Sequence, residues 1–430
     1  MENPNEQAAQ QSPQTYKVII AVNTPHGVGY FADSEGRFLF RKQFEKVSCF
    51  SEGFARVKQN EKWGFINTQG EVVIPCIYDE ARWFSEGLVG VEQNGKYGYI
   101  NTKGEVVIPC IYDEAWAFSE GLAAVKQNDK WGFINPQGEV VIPCIYDDVW
   151  NFHEGLARVK QNEKWGFINT KGEIIAPCIY DDVESFSEGL ARVEQNEKYG
   201  FINPQGEVVI PCVYDDAWDF SEGLAHVKQN DKWGLINPQG EVVIPCIYDK
   251  AWAFFEGLAE VKQNGKSGFI NPQGEVVVPC IYDNAGYFSE GLAYVSQNDK
   301  YGFINTKGEV VIPCIYDDAW PFSEGLARVE QNDKYGFINT KGEVVIPCAY
   351  DGAGWFSDGL ARVEQNEKFG FINTKGEVVI PCIYDHAWWF SEGLARVEQN
   401  GKGSIINKEG KVIMAECDVR GTKWSRVEME

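Results

Sequence analysis

The chain of 430 residues holds only four histidines and three methionines, and no apolar run reaches the ~18 residues of a membrane span. Membrane insertion is therefore not expected. The histidines, His26, His153, His226 and His386, are isolated from one another, and His153-Glu154 lacks a second histidine four residues on. No Cys-x-x-Cys or clustered Cys/His spacing suits zinc. Gly265-Lys266-Ser267 has the end of a phosphate loop, but Glu260 stands where its first glycine should be. No basic segment followed by an apolar one opens the chain, so no secretory signal is visible. A cytoplasmic location is expected, with an exported or surface location left open. Positive charge is also short: 39 Lys and Arg face 63 Asp and Glu, a net charge of −24. That balance keeps a long chain in solution and argues against nucleic acid, which needs basic stripes.

What the chain has is a period. An aromatic-glycine step recurs every 34 residues at Gly64, Gly98, Gly132, Gly166, Gly200, Gly234, Gly268, Gly302, Gly336 and Gly370. A period in this range means a repeat architecture, in which no unit buries its apolar face alone. The unit reads clearly from Ala123. Ala123–Gln127 and Lys130–Ile134 read as strands about an Asn128-Asp129 reversal. Asn135-Pro136-Gln137-Gly138 has the residues of a type I turn. Glu139–Ile142 is a third strand that Pro143 stops, since proline has no N–H for the ladder. Cys144-Ile145-Tyr146-Asp147 and Trp150-Asn151-Phe152 form a longer connection with room for a short fourth strand, and His153-Glu154-Gly155 is a final turn. Tight turns between consecutive strands make each unit an antiparallel β-meander.

The strand faces suggest how units meet. Ala157 and Val159 share one face, Arg158 and Lys160 the other. Trp165 and Phe167 oppose Ile168, and Val140 and Ile142 oppose Val141. Both faces of these last two strands are apolar, so both are expected to be covered, most simply by the next unit packed face to face. The fold class that follows is all-β: a tandem array of about twelve 34-residue meanders. Propellers typically hold 4–8 blades, which favours an open superhelix of propeller-like blades over its alternative, a closed propeller-like ring. Residues 1–15 are polar and rich in Gln, Asn and Pro, the composition of a disordered segment. The array covers 16–415 with degenerate capping units at both ends, and 416–430 is a C-terminal tail.

The run Lys62-Trp63-Gly64-Phe65-Ile66-Asn67, then Gly70, Ile74-Pro75, Tyr78-Asp79 and Phe84-Ser85-Glu86-Gly87-Leu88, resembles the bacterial WG (KWG) repeat family over nearly the whole chain. The resemblance implies a bacterial β-repeat protein with no common activity and no catalytic residues to transfer. The chain departs from the pattern at Ser267, which replaces the aromatic, and at Leu235, where most units have Phe.

Ten of twelve cysteines, Cys76 through Cys382, occupy one column. One per unit, they are too far apart to pair across stacked blades, and are read as small buried hydrophobes in a reducing compartment. The aspartate column from Asp79 to Asp385 is read as capping each unit's own connection rather than as binding calcium. No metal, cofactor or catalytic site is expected, because a sequence that repeats itself lacks one unique constellation. Function is expected where units differ. One variable column, read as the outward side of an edge strand, runs Gly90, Ala124, Arg158, Arg192, His226, Glu260, Tyr294, Arg328, Arg362 and Arg396. Its members from Arg158 onward are the candidate binding residues. A second follows Tyr-Asp, from Glu80 to His386. A third is an aromatic belt of Trp116, Trp150, Trp218, Trp252, Trp320 and Trp388, with Trp83, Tyr287 and Trp355 standing in where it breaks. The belt is either packing between blades or an exposed ladder. The expected function is a non-enzymatic scaffold that binds a protein partner. The alternative is a lectin-like, carbohydrate-binding surface protein using the belt.

Overall fold

A computed structural model describes residues 16–23, 29–33, 37, 39, 43–415 and 423–428. Residues 1–15, expected to be disordered, lie outside them. The described residues contain eleven four-stranded antiparallel sheets, each with its strands in chain order, and one three-stranded sheet. No helix occurs among them. One blade comprises Asp148–Val149, Leu156–Gln161, Lys164–Asn169 and Ile174–Tyr180.

Local chemistry sets each meander. Asn128 and Asp129 both have positive φ, 52° and 62°, the geometry of the two-residue hairpin whose twist matches its strands. In the next turn the Gly138 N–H donates to the Asn135 carbonyl at 2.9 Å, and Gly138 adopts φ of 81°. The Asn135 side-chain oxygen accepts from the N–H groups of Gln137 at 3.1 Å and Glu139 at 2.9 Å. The fixed asparagine and Gly-Glu of the repeat are thus one self-bonded turn.

Blades pack face to face, and each core lies between two of them. Tyr99, Ile108 and Tyr112 of one blade enclose Phe118, Ala123, Val125 and Ile134 of the next. Edge-to-face pairs such as Phe133–Phe152, with centroids 4.8 Å apart, cross these interfaces. Polar ladders repeat the same step. The Ser119 hydroxyl donates to the Phe152 carbonyl at 3.0 Å. The Glu120 carboxylate accepts from the N–H groups of Glu154 at 2.7 Å and Gly155 at 2.8 Å. The Ser-Glu-Gly signature is therefore an inter-blade clasp.

Three expectations change. The third strand of the unit runs on through Pro143 to Tyr146 instead of stopping at the proline, whose missing N–H costs nothing on an edge. The strand with the variable column is interior, because the two-residue strand Asp148–Val149 pairs outside it. The third apolar strand is also not covered on both faces. It is the free edge, where Ile142 is buried but Val140 and Val141 are exposed. Pro143 within it removes one donor from that edge.

The chain ends meet. Tyr16–Asn23 pairs antiparallel with Gly29–Asp33 and, on its other side, with Lys423–Glu428 from the C-terminal tail. Ile19, Ala21 and Phe31 pack on Phe44 and Val47 of the first blade. Ile20 and Ala32 pack on Leu394, Ile405 and Met414 of the last. Of the two arrangements open to the repeats, pairing of the ends is the property of the ring. Of these strands, Gly29–Asp33 keeps the register of the repeat at Phe31 and Asp33, whereas Lys423–Glu428 lies past the last repeat.

Candidate binding surface

The variable column faces the gap between blades rather than open solvent. Arg158 is only 13% exposed in its side chain. Its guanidinium stacks on Trp150, 4.3 Å from the ring centroid. Its Nη1 donates to the Val183 carbonyl of the next blade at 2.9 Å and to Glu184 at 3.0 Å. Arg192 donates to the Ala217 carbonyl at 2.7 Å, Arg362 to that of Ala387 at 2.8 Å, and Arg56 and Arg328 to those of Ala81 and Ala353. Arg396 is half-buried at the equivalent position. His226 is buried, and its Nε2–H donates to the Trp252 carbonyl at 2.9 Å. Burial holds it below the usual histidine pKa. Where the column is Gly90, the Tyr99 hydroxyl fills the space and donates to the Trp116 carbonyl at 2.6 Å. These side chains tie blade to blade.

The invariant acidic column is also engaged. Asp147 pairs with Lys130 of the preceding blade and accepts from the Asn162 N–H of its own hairpin at 2.8 Å. These bonds, the lysine foremost, hold its pKa below the usual value. Each column cysteine donates to a valine carbonyl, as Cys178 does to Val159 at 3.6 Å. Burial pushes its thiol pKa up. Eleven cysteines among the described residues are free. No group of three or more His, Cys, Asp or Glu able to hold a metal occurs among the described residues.

The aromatic belt divides between core and surface. Trp116, Trp252, Trp320 and Trp388 are half-buried. Trp83, Trp150, Trp218, Tyr287 and Trp355 are exposed, Trp355 to 60%. Two exposed rings were not anticipated. Phe255 stands where nearly all other units have Ser, and Trp389 doubles the belt at Trp388. Their departures from the repeat were the available signal. Both pair with belt rings of the neighbouring blade: Phe255–Tyr287 at 4.8 Å and Trp355–Trp389 at 5.8 Å between centroids.

Two adjoining cavities open along this stretch and share Tyr287. One, of about 540 Å³, lies among Trp320, Pro321, Arg328, Trp355 and Tyr287. The other, of about 400 Å³, lies among Trp252, Phe255, Glu260, Lys262, Ala285 and Tyr294. Tyr294 is half-buried, and a Cβ on Gly286 would fall within its ring, so the break in the belt at Gly286 makes room for that tyrosine. Glu260 is half-buried, and burial raises its pKa to about 6. Ser267, 1% exposed, lies against the carboxylate without a well-formed hydrogen bond. The sequence singled out Glu260, Tyr294 and Arg328 individually, and the structure brings them to this pair of cavities, with the buried Ser267 beside Glu260.

A family model described as "WG containing repeat" matches eleven successive segments, residues 31–63, 63–97, 97–131, 131–165, 165–199, 199–233, 233–266, 268–301, 301–335, 335–369 and 369–402. No curated protein matches the sequence. Among solved structures, the extracellular domain of a putative hybrid two component system from B. thetaiotaomicron aligns at 9% identity and a TM-score of 0.23. The alignment covers 86% of this chain and 64% of that one, so this chain spans less than two thirds of its length. A eukaryotic initiation factor aligns at 11% identity over 94% of this chain and 96% of its own, with a TM-score of 0.35. Kluyveromyces lactis Hsv2p aligns at 11% identity over 65% and 98%, with a TM-score of 0.27.

Proposed function

The chain belongs to the WG-containing repeat family, and we propose that it is a non-enzymatic scaffold whose aromatic belt docks a protein partner. The observation that carries this reading is the set of exposed rings at positions where units differ, running from Phe255 through Tyr287 to Trp355 and Trp389 and flanked by the two cavities. Exposed contiguous aromatic surface marks interaction sites, and Trp and Tyr dominate the binding energy of protein interfaces. The invariant residues support the same reading from the other side, since their polar groups are spent on turns and on the next blade. The net charge of −24 favours approach by a basic surface. Free cysteines suit a reducing compartment such as the cytoplasm.

The test uses the purified full chain as bait, followed by rebinding of each captured protein in pure form. Trp355→Ala with Trp389→Ala is expected to weaken that binding at least tenfold while leaving the melting temperature within a few degrees. Unchanged affinity in this variant overturns the belt as the docking surface. Binding to arrayed glycans, lost in the same variant, would replace the protein partner by a carbohydrate.

A further inference from the structure

Across seven blade interfaces one bond recurs. A donor on one blade reaches the same backbone carbonyl region of the next: Arg56, Arg158, Arg192, Arg328 and Arg362 reach 25 residues ahead, and His226 and Tyr99 reach the neighbouring carbonyl. At the equivalent interface after the seventh four-stranded blade the column residue is Glu260. An ionised carboxylate has no proton to give. Twenty-five residues ahead lies Ala285, which lines the cavity opposite it. Glu260 and Ala285 thus line a space in which seven other blade interfaces place a donor.

The same blade also lacks one of the two rings on which that donor rests, keeping the belt ring as Trp252. Arg56 lies 4.5 Å from the Trp63 centroid, Arg192 5.3 Å from Tyr199 and Arg362 5.0 Å from Phe369. The corresponding residue beside Glu260 is Ser267. Loss of the guanidinium leaves a cavity of about 400 Å³ with Glu260 on its wall, and the buried Ser267 lies behind that carboxylate. Four aromatic residues, Trp252, Phe255, Tyr287 and Tyr294, line it together with Lys250 and Lys262.

We propose that this cavity is a socket for an arginine side chain of the partner protein, which takes the place that the chain's own arginines hold between other blades. The guanidinium would pair with Glu260, donate to the Ala285 carbonyl and stack on the aromatic walls. This rests on the protein-docking reading above and names the chemistry the partner must present. Lys250 and Lys262, which pair across strands at the mouth, do not forbid it. Lys46 and Lys58 pair the same way in the first blade, and Arg56 lies on the strand of Lys58, two residues from it. Glu260 adds a carboxylate that the first blade lacks at this position.

The groups facing Glu260 are Lys250 and Lys262 of its own blade, the Ser267 hydroxyl, and Tyr294 of the next blade. Burial keeps the Glu260 pKa near 6. Binding of a cation therefore strengthens as pH rises from 5 to 7 and the carboxylate ionises.

The test is NMR titration of the full chain with Nα-acetyl-arginine amide, against the citrulline amide, which has the same shape but no charge. Arginine amide is expected to shift resonances saturably and to bind at least tenfold more tightly than citrulline amide. Glu260→Arg restores the side chain of the other blades, and Ser267→Trp restores the missing ring. Each is expected to keep the fold and abolish the binding. Equal binding of the two amides, no binding of either, or arginine binding that persists in Glu260→Arg overturns the socket. The probe needs no partner, and Trp355→Ala with Trp389→Ala leaves the cavity intact. Failure of the belt and failure of the socket are therefore read separately.

Discussion

A methyl group placed on Gly200 would lie 2.6 Å from the backbone nitrogen of Cys212 in the adjacent strand. It would also meet the Ile210 carbonyl oxygen at 2.5 Å. The edge strand bulges over this glycine, and Cys212 reaches past it to donate to the Val193 carbonyl at 3.8 Å, opposite Gly200 in the ladder. The Trp/Tyr-Gly step and the cysteine column are two sides of one close approach. These obstacles are backbone atoms, which cannot rotate away. Gly200→Ala is therefore expected to cost about 3 kcal/mol, at the upper end of overpacking effects. Lys171→Ala, on an exposed turn, is expected to change stability by less than ~0.5 kcal/mol. Equal denaturant midpoints for the two variants would refute the close approach.

The arginine column admits a direct test of its structural role. Arg328 lies 3.6 Å from the Trp320 centroid and donates to the Ala353 carbonyl. Lysine has neither the planar face nor the forked donors that this position uses. Arg328→Lys is expected to lose about 1 kcal/mol and Arg328→Ala about 2 kcal/mol. Calorimetric unfolding checks this, and wild-type stability in Arg328→Ala would return the column to the solvent-facing role read from the sequence.

Much of this was legible in the sequence, and the gaps have physical causes. The turns were readable because Asn-Asp, Asn-Pro-Gln-Gly and Glu-Gly satisfy specific backbone geometries. The meander and the face-to-face packing followed from them. The interior place of the arginine strand was not readable, because Asp148–Val149 is too short to carry a strand pattern. Alternating charge in Arg158 and Lys160 reads as solvent exposure, yet guanidiniums also satisfy carbonyls between sheets. Val140 read as covered because a free edge and a buried strand can both be apolar. The smaller cavity lies where Glu260 stands in place of an arginine, and an omission shows its shape only when its neighbours are placed.

Acid should unfold the array through the aspartate column. The lysine and backbone partners of Asp79, Asp147, Asp215 and Asp317 hold their pKa values below the ordinary 3.8. The folded state therefore binds protons less readily than the unfolded one. The stabilisation is fully present above the unfolded value and is lost as pH falls through the depressed ones. Stability is expected to drop steeply below about pH 4, and less steeply in molar salt, because these pairs are solvent-exposed. A flat stability profile from pH 5 to 2 would contradict the inter-blade role of the column.

Glu260 should show the opposite dependence. Its folded pKa of about 6 lies above the ordinary 4.5, chiefly because burial disfavours the charge. The folded state binds this proton more readily than the unfolded state, so stability rises as pH falls from 7 toward 4.5. The shift corresponds to roughly 1–2 kcal/mol. Glu260→Gln removes the titration. It is expected to be more stable than the parent at pH 7 by about that amount and equal to it at pH 4.5. Arginine amide should act in the reverse sense on the parent, raising its melting temperature at pH 7 and not at pH 5, because it binds the ionised carboxylate. Parallel melting curves for Glu260→Gln and the parent across this range would show that the carboxylate is already matched by Lys250 and Lys262, leaving no unmet charge for a partner to satisfy.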